Sequence, residues 1–244
     1  MLDLKSKAGQ VSEQGYCVIE SVYDEHECIQ IRAIFQELCH KKGGFSNEQS
    51  TISFHPLLEW GPEMAPFYAK PILVDLMAEV FNDDVRLAHS GAAVFNNALV
   101  SPVLTGWHNH YSWKISETGL QRHNPERVLC NVYIDGTMPD VGPLIVLPRS
   151  LNTSIHNEGE ANAEWTGQET VSIPPGSAVI FDTAVWHCSR RGNSNELRHL
   201  WGGHYQGWNN PTPHPEDNIA KNSTVVAYKN QFPLLKKLLE NPIN

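Results

Sequence analysis

From residue 85 to residue 208 the chain runs as short segments in which apolar and polar residues alternate: VRLAHSGAAVFNN, RVLCNVYIDG, GPLIVLP, ETVSIPPGSAVIFD, AVWHCSR and RHLWGGHYQGW. Turn signals separate them, with Asp135-Gly136, the DVGP stretch at 140–143 and the PPG stretch at 174–176. A period of two sends successive side chains to opposite faces of a strand, so each segment has a face to bury. Many strands this short bury it by pairing into packed sheets. The pattern therefore predicts a mainly β architecture with flanking helices, a barrel or jelly roll of about eight strands whose tapering cavity opens at one end. A chain of 244 residues, 41% of them hydrophobic, can fill one such core.

A single domain is expected, divided into an N-terminal strand and helical scaffold (1–84), a jelly-roll core (85–208) and a C-terminal loop and helix (209–244). In GYCVIESVYDEHECIQIRAIFQELCHKK the apolar positions alternate at Tyr16, Val18 and Ile19, then shift to helical spacing at Ile29, Ile31, Ile34, Phe35 and Leu38. Asp24 with Glu27 three residues on is a capping pair for that helix. Residues 45–84, with prolines at 56, 62, 66 and 71, predict short helices and turns, the clearest being PILVDLMAEVFN with Pro71 in its first turn. At the other end VVAYKNQFPLLKKLLEN has helical spacing and predicts a docking helix.

Charge and composition narrow the partners. With 18 Lys+Arg against 27 Asp+Glu, a net charge of -9, the chain offers no basic stripe to neutralise phosphates. Nucleic acid and anionic membrane surfaces are excluded as partners on that ground, which points to a small molecule. The five cysteines, Cys17, Cys28, Cys39, Cys130 and Cys188, are odd in number and lack a Cys-x-x-Cys pair, so they read as free thiols in a reducing compartment. No stretch is long and apolar enough to span a bilayer, the first ten residues have no apolar run, and the closing NPIN is not a peroxisomal address, so a cytoplasmic location is expected.

Three histidines carry the chemistry. His108 and His110 stand one residue apart in GWHNHYSW, a spacing that on a strand aims both imidazoles to one side, and His187 in FDTAVWHCSRRGN can close a metal site from a distant strand. An HxH pair alone is a weak signal. His187 strengthens it, because it lies at the end of a predicted strand, after a PPG turn and an apolar VIFD run.

These segments resemble the phytanoyl-CoA dioxygenase family of Fe(II)- and 2-oxoglutarate-dependent oxygenases. That family carries a His-x-Asp pair, an NGPL…iPGSH segment and a pGd…fd…lHgs…N.S…R segment; here the counterparts are WHNH, VGPLIVLPRSL and PPGSAVIFDTAVWHCSRRGNSNELRHL. The likeness covers most of residues 12–208. It implies a double-stranded β-helix (jelly roll, cupin-like) with Fe(II) held by His108, His110 and His187, and with 2-oxoglutarate as cosubstrate. It further implies that Arg198 and Ser189 grip the far carboxylate, that Asn96 or its neighbour Asn97 supplies an amide hydrogen bond, and that Trp113 joins them at the 2-oxoglutarate site; directly after the HNH, Trp113 and Tyr111 are placed to flank the cavity. A planar guanidinium binds a carboxylate through two parallel hydrogen bonds, and a nearby hydroxyl completes the anion's shell. The chain would then be an oxidoreductase that uses O2 on a small molecule, releasing succinate and CO2.

One position departs from the pattern, since His110 stands where the family has Asp. A three-histidine site still suits Fe(II) but holds one more positive charge than the two-histidine, one-carboxylate triad. Other readings are a halogenase-like site in which His110 swings away, a non-catalytic or differently metallated site using Zn(II) or Ni(II), and a three-histidine dioxygenase that uses no 2-oxoglutarate. Retention of Ser189 and Arg198 argues against the last. Hydroxylation, desaturation, ring closure and epoxidation are not distinguished by sequence. The compact chain, without a basic patch for an acyl-CoA handle, points to a small polar metabolite or natural-product intermediate, and WGGHYQGW is a candidate for the far wall of its pocket.

Overall fold

The computed structural model describes residues 2–99, 103–110, 125–149, 159–209, 217 and 219–240. Helix α1 (Leu4–Gln14) leads into strand β1 (Tyr16–Ile19), α2 (Glu25–Lys41), β2 (Thr51–Phe54), the single-turn helices α3 (Leu57–Trp60) and α4 (Ala65–Tyr68), and α5 (Pro71–Phe81). Strands β3 (Val85–Asn96), β4 (Val103–His108), β5 (Val128–Tyr133), β6 (Leu144–Val146) and β7 (Glu169–Val171) follow. Then come β8 (Ser177–Asp182), β9 (His187–Arg190) and β10 (Leu197–Gly207), and helices α6 (Ser223–Tyr228) and α7 (Pro233–Leu239).

The strands form two antiparallel sheets, six-stranded in the order β1-β8-β5-β10-β3-β2 and four-stranded in the order β4-β9-β6-β7. The two sheets face each other as a jelly roll. The outer face of the large sheet is covered by helices, so its central strands are buried on both sides and every residue of β5 and β8 is buried. Alternation sorts them. Cys130, Val132, Ala178 and Ile180 join the core under α2 and α5. Leu129, Tyr133, Val179 and Phe181 point the other way and pack with Leu144, Val146 and Val171 of the small sheet.

Several details of the flanks differ from the sequence reading. Thr51–Phe54, expected among short helices, pairs with β3 from Phe95 to Ala92, so β1 and β2 of the front segment are the two outer strands of the large sheet. Helix α1 lies where the sequence reading placed no element; its Asp3 cap accepts from the Ser6 amide and only Val11 is fully buried. Ile29, read as part of the apolar stripe of α2, is 55% exposed, whereas Ile31, Phe35 and Leu38 lie inside. The Asp24–Glu27 capping box forms as expected. The C-terminal docking helix is two helices. Phe232 is extended at φ -125° before Pro233, because a proline ring excludes the helical conformation of the preceding residue.

Candidate metal centre

His108 ends β4 and His187 begins β9, and the two are register partners in the small sheet. His110 lies just past the end of β4, so the same-face rule for strand residues does not by itself orient it. A backbone hydrogen bond does part of that work: the His110 amide donates to the carbonyl of Thr183, 2.8 Å away, in the turn before β9. The three imidazoles converge so that one ligand nitrogen from each lies within 4.8 Å of the others.

Two of the rings are oriented by the backbone. His108 Nδ1 lies 2.8 Å from the Gly106 carbonyl and His187 Nδ1 lies 3.0 Å from the Val185 carbonyl. A carbonyl only accepts, so each Nδ1 carries the hydrogen and each Nε2 keeps its lone pair for a metal. The Phe181 ring stacks on His187 at 4.9 Å. Burial holds both imidazoles below the ordinary histidine pKa, far below for His187, where the neighbouring His108 and His110 add to the effect. Both are therefore neutral at pH 7, the form a metal requires.

The centre opens into a cavity of about 350 Å³ between the sheets. Ser189, whose register partner is Thr105, lines it, and so does Thr105. Arg198 sits on β10 with the same parity as Leu200, Gly202 and His204, which all face the cavity. It is 1% exposed, and its Nε, Nη1 and Nη2 all lack a hydrogen-bond partner among the described residues. Its guanidinium carbon lies 5.8 Å from the Tyr133 ring, and Nη1 lies 3.0 Å from where a side chain on Gly142 would begin. Gly142, at φ +130°, thus leaves open the space beside the guanidinium. Burial lowers the Arg198 pKa, opposed by Tyr133 and Asp135. An unpaired buried cation is costly, so this arrangement calls for an anion, and it fits the carboxylate of a dicarboxylic cosubstrate.

The other expected residues fare unevenly. Asn96 has the opposite parity to Phe95, which lines the cavity; its side chain instead accepts from the Ala98 amide and closes a local turn. The Asn97 amide donates to the Val141 carbonyl. Neither asparagine is brought to the cavity wall. Trp113 and Tyr111 lie outside the described residues. The WGGHYQGW stretch does shape a wall, through Trp201, Gly202 and His204. Tyr133 was not anticipated: it lines the cavity with Asn131, and burial pushes its phenol up to about 12, so it stays a donor at neutral pH. The signal was present in VLCNVY, where period two puts Leu129, Asn131 and Tyr133 on one face. His55 and His89 were also missed, for they come together only across β2 and β3.

The sequence profile described as phytanoyl-CoA dioxygenase (PhyH) matches residues 11–200. Solved structures with the same fold include HygX from Streptomyces hygroscopicus with nickel and 2-oxoglutarate bound (TM-score 0.69, 18% identity, 83% of this chain and 86% of that one). Another is EctD from S. alaskensis with 2-oxoglutarate and 5-hydroxyectoine (TM-score 0.67, 18% identity, 86% and 78%). A third is the non-haem alpha ketoglutarate dependent carbocyclase SnoK from nogalamycin biosynthesis (TM-score 0.66, 19% identity, 84% of each chain). No individually curated protein gives a significant match.

Proposed function

The chain belongs to the phytanoyl-CoA dioxygenase family of non-haem Fe(II)- and 2-oxoglutarate-dependent oxygenases, and we propose that it oxidises a C–H bond of a small polar metabolite or natural-product intermediate at a three-histidine site. One observation carries the cosubstrate assignment, namely the buried, unpartnered guanidinium of Arg198 beside the inter-sheet space. In this reading His108, His110 and His187 hold the metal. Iron with 2-oxoglutarate supplies the activation of O2 that makes an unactivated C–H bond reactive.

The chain's own residues bind and orient. Arg198 donates to the far carboxylate of 2-oxoglutarate, while Ser189 and the protonated Tyr133 offer hydroxyl donors to the same region. Backbone carbonyls of Gly106 and Val185 hold the rings of His108 and His187 in the tautomer that presents Nε2. The walls of the cavity, with Phe95, Leu129 and Leu200 among them, exclude water from the bound pair. Five free, buried thiols fit a reducing, cytoplasmic setting.

The all-imidazole donor set supports a second reading, in which the site holds Zn(II) or Ni(II) and binds a metabolite without oxidising it. An anaerobic titration of the apo-protein with Fe(II) and then 2-oxoglutarate separates the two. A visible charge-transfer band that needs both and is lost in Arg198→Ala supports the oxygenase; absence of both the band and Fe(II) affinity overturns it.

A further inference from the structure

The cavity holds more imidazoles than a metal centre uses. Beyond the three candidate ligands, His55, His89 and His204 also line it. They form a row: the His55 and His89 rings lie parallel within 9° at 5.6 Å, His89 meets His204 edge-on at 5.6 Å, and His204 meets His110 edge-on at 5.2 Å. His55 is exposed, at the outer end, and His204 is buried, at the metal end.

The fold makes room for this row. Gly91 and Gly202 are paired across β3 and β10 on the cavity face. A Cβ on Gly91 would lie 2.7 Å from the His55 ring and 3.4 Å from His89 Nε2, so any side chain there would displace the pair. His55 Nδ1 and His89 Nε2 are 3.4 Å apart, one donating and the other accepting. His204 Nδ1 lies 3.3 Å from Nη1 of Arg127, whose guanidinium is itself anchored by Asp217. A guanidinium only donates, so His204 Nδ1 accepts and its hydrogen sits on Nε2.

The sign of the lining completes the argument. Although the chain has a net charge of -9, no Asp or Glu lines the cavity among the described residues. A cavity without a lining carboxylate offers an ammonium group no ion pair, whereas imidazole N–H donors, with the Arg127 guanidinium behind His204, suit oxygen anions. We infer that His55, His89 and His204 form a binding wall for an anionic group of the substrate, a carboxylate or a phosphate, and hold that end so that the remainder of the molecule extends toward the metal. This assignment rests on the oxygenase reading for the identity of the bound molecule as substrate, but the wall requires no metal to bind an anion.

The test uses protein loaded with Ni(II) and saturating 2-oxoglutarate, titrated calorimetrically with glycerol 3-phosphate, glycerate, glycerol and ethanolamine. The two anions are expected to bind at least tenfold more tightly than the neutral and cationic probes, with the stronger of the two identifying the group as phosphate or carboxylate. In His55→Gln, at an exposed position, and in His89→Gln their Kd should rise about tenfold while that of 2-oxoglutarate stays unchanged. Equal binding of all four probes, anion binding that survives both substitutions, or no anion binding up to about 10 mM overturns the inference. If Ni(II) and 2-oxoglutarate fail to load, the oxygenase reading falls, and the same titrations on metal-free protein still decide the anion wall.

Discussion

A guanidinium that is 1% exposed and has none of its nitrogens paired among the described residues is in an unfavourable state without an anion beside it. Arg198 therefore predicts opposite effects on binding and stability. Arg198→Met should weaken 2-oxoglutarate about 100-fold, the equivalent of two charge-assisted hydrogen bonds. The same substitution should stabilise the ligand-free protein by about 1 kcal/mol, because it removes a buried charge at little change in volume. Calorimetry and thermal melts of one variant read both; a loss of stability in the ligand-free state would show that Arg198 is a structural cation instead. At the metal, His110→Ala should lower Fe(II) affinity about 100-fold if its imidazole ligates, and leave it nearly unchanged if the ring only packs edge-on against His204.

Elements reach their places through a few long-range polar ties. Asp135, just after β5, accepts from Arg32 of α2 at 2.8 Å and from the amide and ring of His199 on β10 at 2.7 and 2.9 Å. Burial favours the neutral acid, but the hydrogen bond and charge of His199, then Arg32, outweigh it and hold the carboxyl below its usual range. A carboxyl whose pKa is lower folded than unfolded stabilises the fold above the unfolded value and ceases to do so as pH falls through the folded one. Asp135→Asn should therefore cost about 1–2 kcal/mol at pH 7, discounted for the partly exposed Arg32, and in urea melts the difference from wild type should begin to shrink as pH falls below about 4 and be lost as pH passes the lowered folded value. The capping box of α2 is a second such device. Asp24→Ala should cost about 1 kcal/mol, seen as a fall in Tm of about 2–4 °C.

On the scale of the whole molecule the two sheets flank the candidate centre: β4 and β9 present His108 and His187, and β10 presents Arg198. Ligands that bridge the sheets bind the folded state only. In Fe(II)-loaded protein under anaerobic conditions, 2-oxoglutarate at about 100 times Kd should add about 2.7 kcal/mol and raise Tm by about 5–10 °C, and most of that increment should disappear in Arg198→Met. Much of this plan was legible in the chain. Period-two segments and their Gly and Pro turns marked most strands of the sandwich, and the spacing around WHNH, PPGSAVIFDTAVWHCSR and Arg198 marked the centre, because strand alternation and turn geometry are local properties that sequence carries directly. Local signals failed where packing overrode them. Nothing within Thr51–Phe54 announces an edge strand, Asn96 looked suited to the cosubstrate until the parity of β3 turned it away from the cavity, and Ile29 lies on the wrong side of α2. Tertiary structure alone decided that three further histidines, 34 to 149 positions apart in sequence, would form one wall, since His55, His89 and His204 meet only when β3 pairs with both β2 and β10. It also left the nitrogens of Arg198 without a partner among the described residues, because that depends on what the neighbouring strands and the loop at Gly142 do not supply.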